Sequence, residues 1–301
     1  VSVSEPWERI ADNALRWLAD NAPGFRLTAD VLSPDTPLGN TLKPLGELVQ
    51  ISSVVLRKDV HRGRHAQTAG ELIELAWDEL QHGDLLLALL HAEPLTSYPL
   101  ELYATMRQAG LRHRGMEELA ARTVATHGWA AREMTPTHRL GVLNAERRLG
   151  LPLHTDLQAV AARTWTGHRP EPHTIDWDSA YDLTHTVFHL TDWGRHPDRL
   201  PADIASYLND WLPAWTQVWC EDRDWDLLGE LLAVDACLPR PALDQHAWQQ
   251  LAQAQHADGA VAPIRWHDDH DAFTNYRHPT LVATFAATLA TSRARNLAPT
   301  G

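Results

Sequence analysis

The feature that most constrains this chain is the period of its apolar residues. They recur at three and four through almost the whole sequence, the spacing of helices with one buried face. Strand signals are scarce: the one β-rich run, VQISSVVLRK (49–58), continues a helical pattern that begins at KPLGEL. Reading helix ends from Gly, Pro and capping residues predicts about twelve helices. They fall at 4–22, 42–58, 68–83, 97–109, 115–129, 136–149, 155–166, 178–192, 201–220, 223–238, 243–256 and 279–293. Ser4, Thr68 and Thr155 read as N-terminal caps, and Gly83, Gly110 and Gly150 as residues that end helices.

The 301 residues contain no composition break that would mark a linker. They predict a single all-α domain, 1–301. Helix hairpins in series have two arrangements. Six of them close a ring, an (α/α)6 barrel with a complete or incomplete seam, or they stack as an open helical array. In a ring the even-numbered segments form the inner set. Those segments carry Lys43, Tyr98, His138, His185, Asp226 and His278 near their starts. The last three then turn strongly apolar, as helices lining a mouth and then a core would.

Charge and motifs remove several function classes. A formal net charge of −13 argues against non-specific nucleic-acid binding, since phosphate meets a repelling average surface. No run approaches the roughly 20 apolar residues of a membrane span, and the first twenty residues lack the apolar stretch of a signal peptide. Two cysteines, Cys220 and Cys237, make no disulfide framework, so a reducing cytoplasm fits. There is no GxGxxG, Walker loop or GxSxG elbow, and hence no expected nucleotide cofactor. Thirteen Trp against four Phe, with eighteen His, suit an aromatic-lined cavity as well as core packing.

Towards the end of the chain, LAQAQHADGAVAP (251–263) resembles the Q-x-x-D-G turn between helix hairpins of the α/α toroids. Squalene–hopene-type cyclases and protein prenyltransferase β subunits belong to that superfamily. YRHPTLVATFA (276–286) resembles the start of one of its inner helices. Together with YDLTHTVFHLTDWG and DWDLLGELL, these segments are also similar to a bacterial family of unassigned function, over most of 175–290. The resemblance implies a toroid fold and a cyclase, lyase or alkyl-transfer step in specialised metabolism. It also implies a zinc set of Asp235, Cys237 and His278. Against that set, Asp235 and Cys237 close a helix here instead of opening one, and residues two apart do not face one point.

The residues themselves offer further candidates. In YDLTHTVFHLTDWG (181–194), His185 and His189 stand at i and i+4, with Asp182 and Asp192 read on the same stripe. That spacing lets both histidines reach one divalent metal such as zinc, with His278 as a third ligand. It equally suits proton transfer by His185 alone, or a structural role. Asp226 and Glu230, also at i and i+4, form an acid–base pair if a lumen forces one to hold a proton. Otherwise they are a dipole-favouring first turn and an ion-paired glutamate. His278, immediately before Pro279, reads as preceding a first helical turn and, with Tyr276, as projecting from the mouth. WHDDHDAF (266–273) reads as a lid or a solvated turn. The expected function is modification of a small, partly apolar organic substrate by acid–base or metal-assisted chemistry. The alternative is a non-catalytic helical scaffold for a protein or peptide.

Overall fold

The apolar period is realised as helix. The computed structural model describes residues 5–28, 31, 38–58, 63–262, 264 and 272–297. Among these there are fifteen α-helices and no strand beyond an isolated bridge between Gln255 and Val261. In chain order they are α1 (Pro6–Asp20), α2 (Leu38–Lys58), α3 (Arg64–Glu79), α4 (Asp84–Ala92), α5 (Tyr98–Gln108), α6 (Arg114–Val124), α7 (His127–Ala131), α8 (Pro136–Leu149), α9 (Leu157–Ala161), α10 (Trp165–His168), α11 (Trp177–Leu190), α12 (Ala202–Asp222), α13 (Trp225–Cys237), α14 (Gln245–Ala254) and α15 (Ala272–Leu297). None of the described helices is long and apolar enough to cross a membrane.

Local chemistry explains most of the ends. Asp176 and Ser179 form a reciprocal capping box at the start of α11. Thr135, Asp156 and Asp224 cap α8, α9 and α13. Gly150, at φ 71°, ends α8. Thr68 is not a cap: α3 starts at Arg64, and Thr68 donates back to the Arg64 carbonyl from inside the helix. Segment 68–83 proved to be only the first of two helices, because left-handed Gly83 turns the chain into α4. The segments read at 115–129 and 155–166 each divide into two short helices. α15 begins about two turns earlier than expected, so Pro279 lies inside it and His278 does not precede its first turn.

Six helices touch in a cycle: α2 packs on α5, α5 on α8, α8 on α11, α11 on α13, α13 on α15, and α15 on α2. They are the six segments assigned above to an inner set. Their directions follow from contacts at matched depth. Tyr98, first in α5, donates to the carbonyl of Leu42 near the start of α2, while Thr105 donates to Gln50 two turns further down both helices. Tyr181 meets Asp226 near the starts of α11 and α13, and Thr184 meets Glu230 one turn deeper in each. These neighbours therefore run parallel, with their N-terminal ends at one end of the molecule. α1, α3, α12 and α14 pack against members of the cycle.

Candidate functional site

Because the parallel helices start together, their leading polar residues meet. At the rim, Asp226 of α13 is gripped from both sides. The His278 Nδ1 of α15 lies 2.9 Å from its Oδ1, and the Tyr181 hydroxyl of α11 donates to its Oδ2 at 2.5 Å. The His278 Nε2 is 3.9 Å from Glu47 on α2, which also faces Lys43 at 3.7 Å. Burial disfavours charge on His278, but the Asp226 carboxylate and its hydrogen bond outweigh it and raise the imidazole to about 9. His278 is thus an imidazolium at neutral pH. The Tyr181 phenol is pushed up by burial and by the Asp226 and Glu230 carboxylates, so it stays a hydrogen-bond donor.

One turn deeper sit His185 and Glu230. The His185 Nδ1 lies 3.0 Å from the carbonyl of Tyr181; an N–H donated there orients the ring and turns Nε2 away from that bond. Nδ1 is also 3.9 Å from Glu230. Glu230 is buried, accepts a hydrogen bond from the Thr184 hydroxyl, and has its carboxyl pushed up by that burial against the pull of His185 and His278.

Below the rim is a cavity of about 190 Å³ walled by α2, α5, α8 and α11 together with Trp193. It is smaller than the roughly 300–1,000 Å³ of common small-molecule pockets, and so suits a compact ligand. Glu47, Tyr98, Glu101 and His185 line its upper part, and Gln50, Thr105, Asn144, Arg148 and His189 its lower part. In the floor, Arg148 pairs with Asp192 at 2.7 Å, both nearly without solvent contact.

Of the residues singled out by sequence, His185, Asp226, Glu230 and His278 come together. Tyr276 does not. Two positions before His278 is about 200° around the helix, and its ring packs instead on His256, 5.2 Å between centroids. Tyr181 supplies the phenol at the rim, and its position four before His185, on one helical face, was the available signal. His189 is half-buried a turn below His185, near Gly141 of α8, with its pKa lowered well below the ordinary value by desolvation and then by His185. Asp192 is off the helical stripe: it lies beyond α11 in left-handed backbone, φ 51°. Asp235 and Cys237 are nine and eleven residues further along α13 than Asp226, about 13–16 Å at 1.5 Å per residue, and so remote from His278. Asp235 accepts from the backbone amides of Ala242 and Leu243. Cys237 is buried, which pushes its thiol up to about 12, the opposite of what a metal thiolate needs. Neither expected ligand set is assembled, and among the described residues no three His, Cys, Asp or Glu side chains are grouped to hold a metal ion. Most of WHDDHDAF lies outside the described residues.

No curated protein and no solved structure matches the chain. A family model for a domain of unknown function, DUF6895, matches residues 11–288, and the chain belongs to that family.

Proposed function

We propose that the six-helix cycle is the inner wall of an (α/α)6 toroid and that the chain is a small-molecule-modifying enzyme of cyclase, lyase or alkyl-transfer type. The carrying observation is that α11, α13 and α15 gather His278, held by Asp226, and His185, 3.9 Å from the buried Glu230, beside a cavity that His185 and Glu47 line. A protonated imidazole close to a second imidazole lets one site supply both an acid and a base. In this reading the His278 Nε2–H gives a proton to the substrate and the His185 Nε2 accepts one. Asp226 holds the imidazolium in place, and Tyr181 holds Asp226. The substrate is a compact organic molecule, partly apolar, because Leu102, Ala145, Tyr98 and Trp193 share the wall with the polar groups. No step requires a metal.

The test is to incubate the purified chain with small-molecule extract from its source cells and follow the mixture by mass spectrometry. A compound consumed by wild type, and more slowly by about 10²–10⁴-fold with His278→Gln, supports the reading. Stoichiometric metal in the active protein, lost in His185→Ala, would replace it with a metal-assisted one. A protein that consumes nothing but retains a macromolecular partner would favour the scaffold.

A further inference from the structure

The floor of the cavity carries more positive charge and more hydrogen-bond donors than the described residues satisfy. Arg148 spends its Nε on Asp192 at 2.7 Å and its Nη1 on the Gln50 and Thr105 side-chain oxygens at 2.9 and 3.0 Å. Its Nη2 is buried and has no partner among the described residues. The same holds for the Gln50 Nε2 and the His189 Nδ1. The Gln50 amide cannot be turned round to relieve this, because its oxygen already accepts from Arg148 and Thr105. Behind this layer, Arg57 has all three guanidinium nitrogens buried and unpartnered among the described residues. Asp192 also faces Arg195 at 4.0 Å, so several arginines share one carboxylate. Buried donors without acceptors, and buried charge in excess, are costly. Gln50, Arg148 and His189 all line the cavity.

The geometry points to a carboxylate-binding floor: the ligand of this cavity is a compact organic monocarboxylate, its acid group received by Arg148 and Gln50 beside His189, and its other end at the rim. A carboxylate fits better than a phosphate. The unpartnered N–H donors on Gln50 and Arg148 match the two oxygens of one carboxylate, and, Arg195 being half exposed, the more buried pair Arg57 and Arg148 exceeds Asp192 by one charge. Rim and floor, Tyr98 and Thr105, are seven residues apart on α5, about 10 Å, which sets the ligand's length. Leu102, Ala145 and Trp193 give it an apolar or aromatic middle. The inference rests on the reading that the cavity holds a small molecule.

The test is calorimetric titration of the full chain with benzoate, phenylacetate, benzyl alcohol, phenyl phosphate and inorganic phosphate at fixed ionic strength. An aryl carboxylate is expected to bind about tenfold or more tighter than benzyl alcohol, since a hydrogen-bonded charge contributes that much. Arg148 also holds the floor together, so the discriminating variant is Gln50→Glu. It keeps the oxygen that Arg148 uses but places negative charge where the ligand's would go. Carboxylate affinity should fall by at least about tenfold, with benzyl alcohol binding unchanged and the melting temperature not lowered. Equal affinity for benzyl alcohol and the carboxylates, a preference for phenyl phosphate, or indifference to Gln50→Glu would overturn the floor while leaving a small-molecule cavity standing. Failure of every aryl probe to bind would overturn both.

Discussion

At the scale of single residues, the rim depends on one ion pair. His278 carries its proton to about 9 because Asp226 lies 2.9 Å away, in spite of burial. A base whose folded pKa is raised stabilises the fold fully below its unfolded value, about 6.5, and loses that contribution as pH rises through about 9. Asp226→Asn removes the leading cause of the rise. The alkaline limb of catalysis should then move down from near 9 towards or below about 6.5, read from a pH–rate profile. A limb that stays put would show that another group donates the proton. Glu230 has the same sign from a different cause. Burial raises its pKa, so between the ordinary value and the raised one the folded state keeps a proton the unfolded chain has lost, and stability falls as pH rises through that window. Glu230→Gln, which can still accept from Thr184, is expected to melt at or above the wild-type temperature at neutral pH. A drop of several degrees would mean that the charge itself is structural.

At the scale of elements, glycine inside an inner helix marks where the next helix comes closest. Glycine costs a helix interior about 1 kcal/mol relative to alanine, so its presence there wants a packing reason. A Cβ at Gly46 of α2 would fall 2.1 Å from the Tyr98 hydroxyl oxygen of α5, and one at Gly229 of α13 would fall 2.8 Å from Val282 of α15. Gly46→Ala should therefore lose stability despite its better helix propensity, by about 1–3 kcal/mol for overpacking. Tyr98→Phe removes the obstructing oxygen, so the double variant should be less destabilised than the two singles summed. Additive melting temperatures would refute the close approach. This level also shows what the sequence could and could not reveal. The polar ends of the inner helices are legible, because His185, Asp226 and His278 each stand ahead of a strongly apolar run and parallel neighbours need only be adjacent to bring them together. The pairings are not. Tyr276 reads as a mouth residue only if α15 starts at Pro279; with the helix beginning at Ala272, Tyr276 lies within it, about 200° from His278, and packs on His256 away from the rim. The floor was missed for a related reason. Asp192 looks like the next residue of a helical stripe, and only the left-handed run of Asp192, Trp193 and Gly194, φ 51°, 55° and 70°, turns it beneath Arg148. Non-glycine residues seldom adopt such backbone, and no periodicity announces it.

At the scale of the whole molecule, the two ends of the chain are fastened to each other. α1 packs on both α14 and α15, and the QHADG turn joins the Arg295–Glu8 and Gln245–Glu5 contacts in supplying its polar part. Gln255 is its hinge: its amide donates to the Ile10 carbonyl of α1 at 3.3 Å and to the Gly259 carbonyl at 3.0 Å, while its oxygen accepts from Asn13 at 3.2 Å. Asp258 caps the turn by accepting from the Ala260 amide. Gly259 has φ 107°, and a Cβ there would lie 2.2 Å from the backbone oxygen of Asn13. The motif thus serves to let a late turn approach the first helix at backbone distance, which is a structural reason for its glycine independent of any chemistry in the cavity. Gly259→Ala combines an unfavourable backbone region, about 1–2 kcal/mol, with a clash against main chain that no rotamer relieves. For a chain of this size each kcal/mol lowers the melting temperature by roughly 2–4 °C. The variant should therefore melt at least about 4 °C below wild type, and hydrogen exchange should rise first in α1. If exchange rises instead around the rim on α11 and α13, the ends are not separately fastened and the turn acts through the cavity wall. A melting temperature equal to wild type would mean that α1 does not meet this turn in solution.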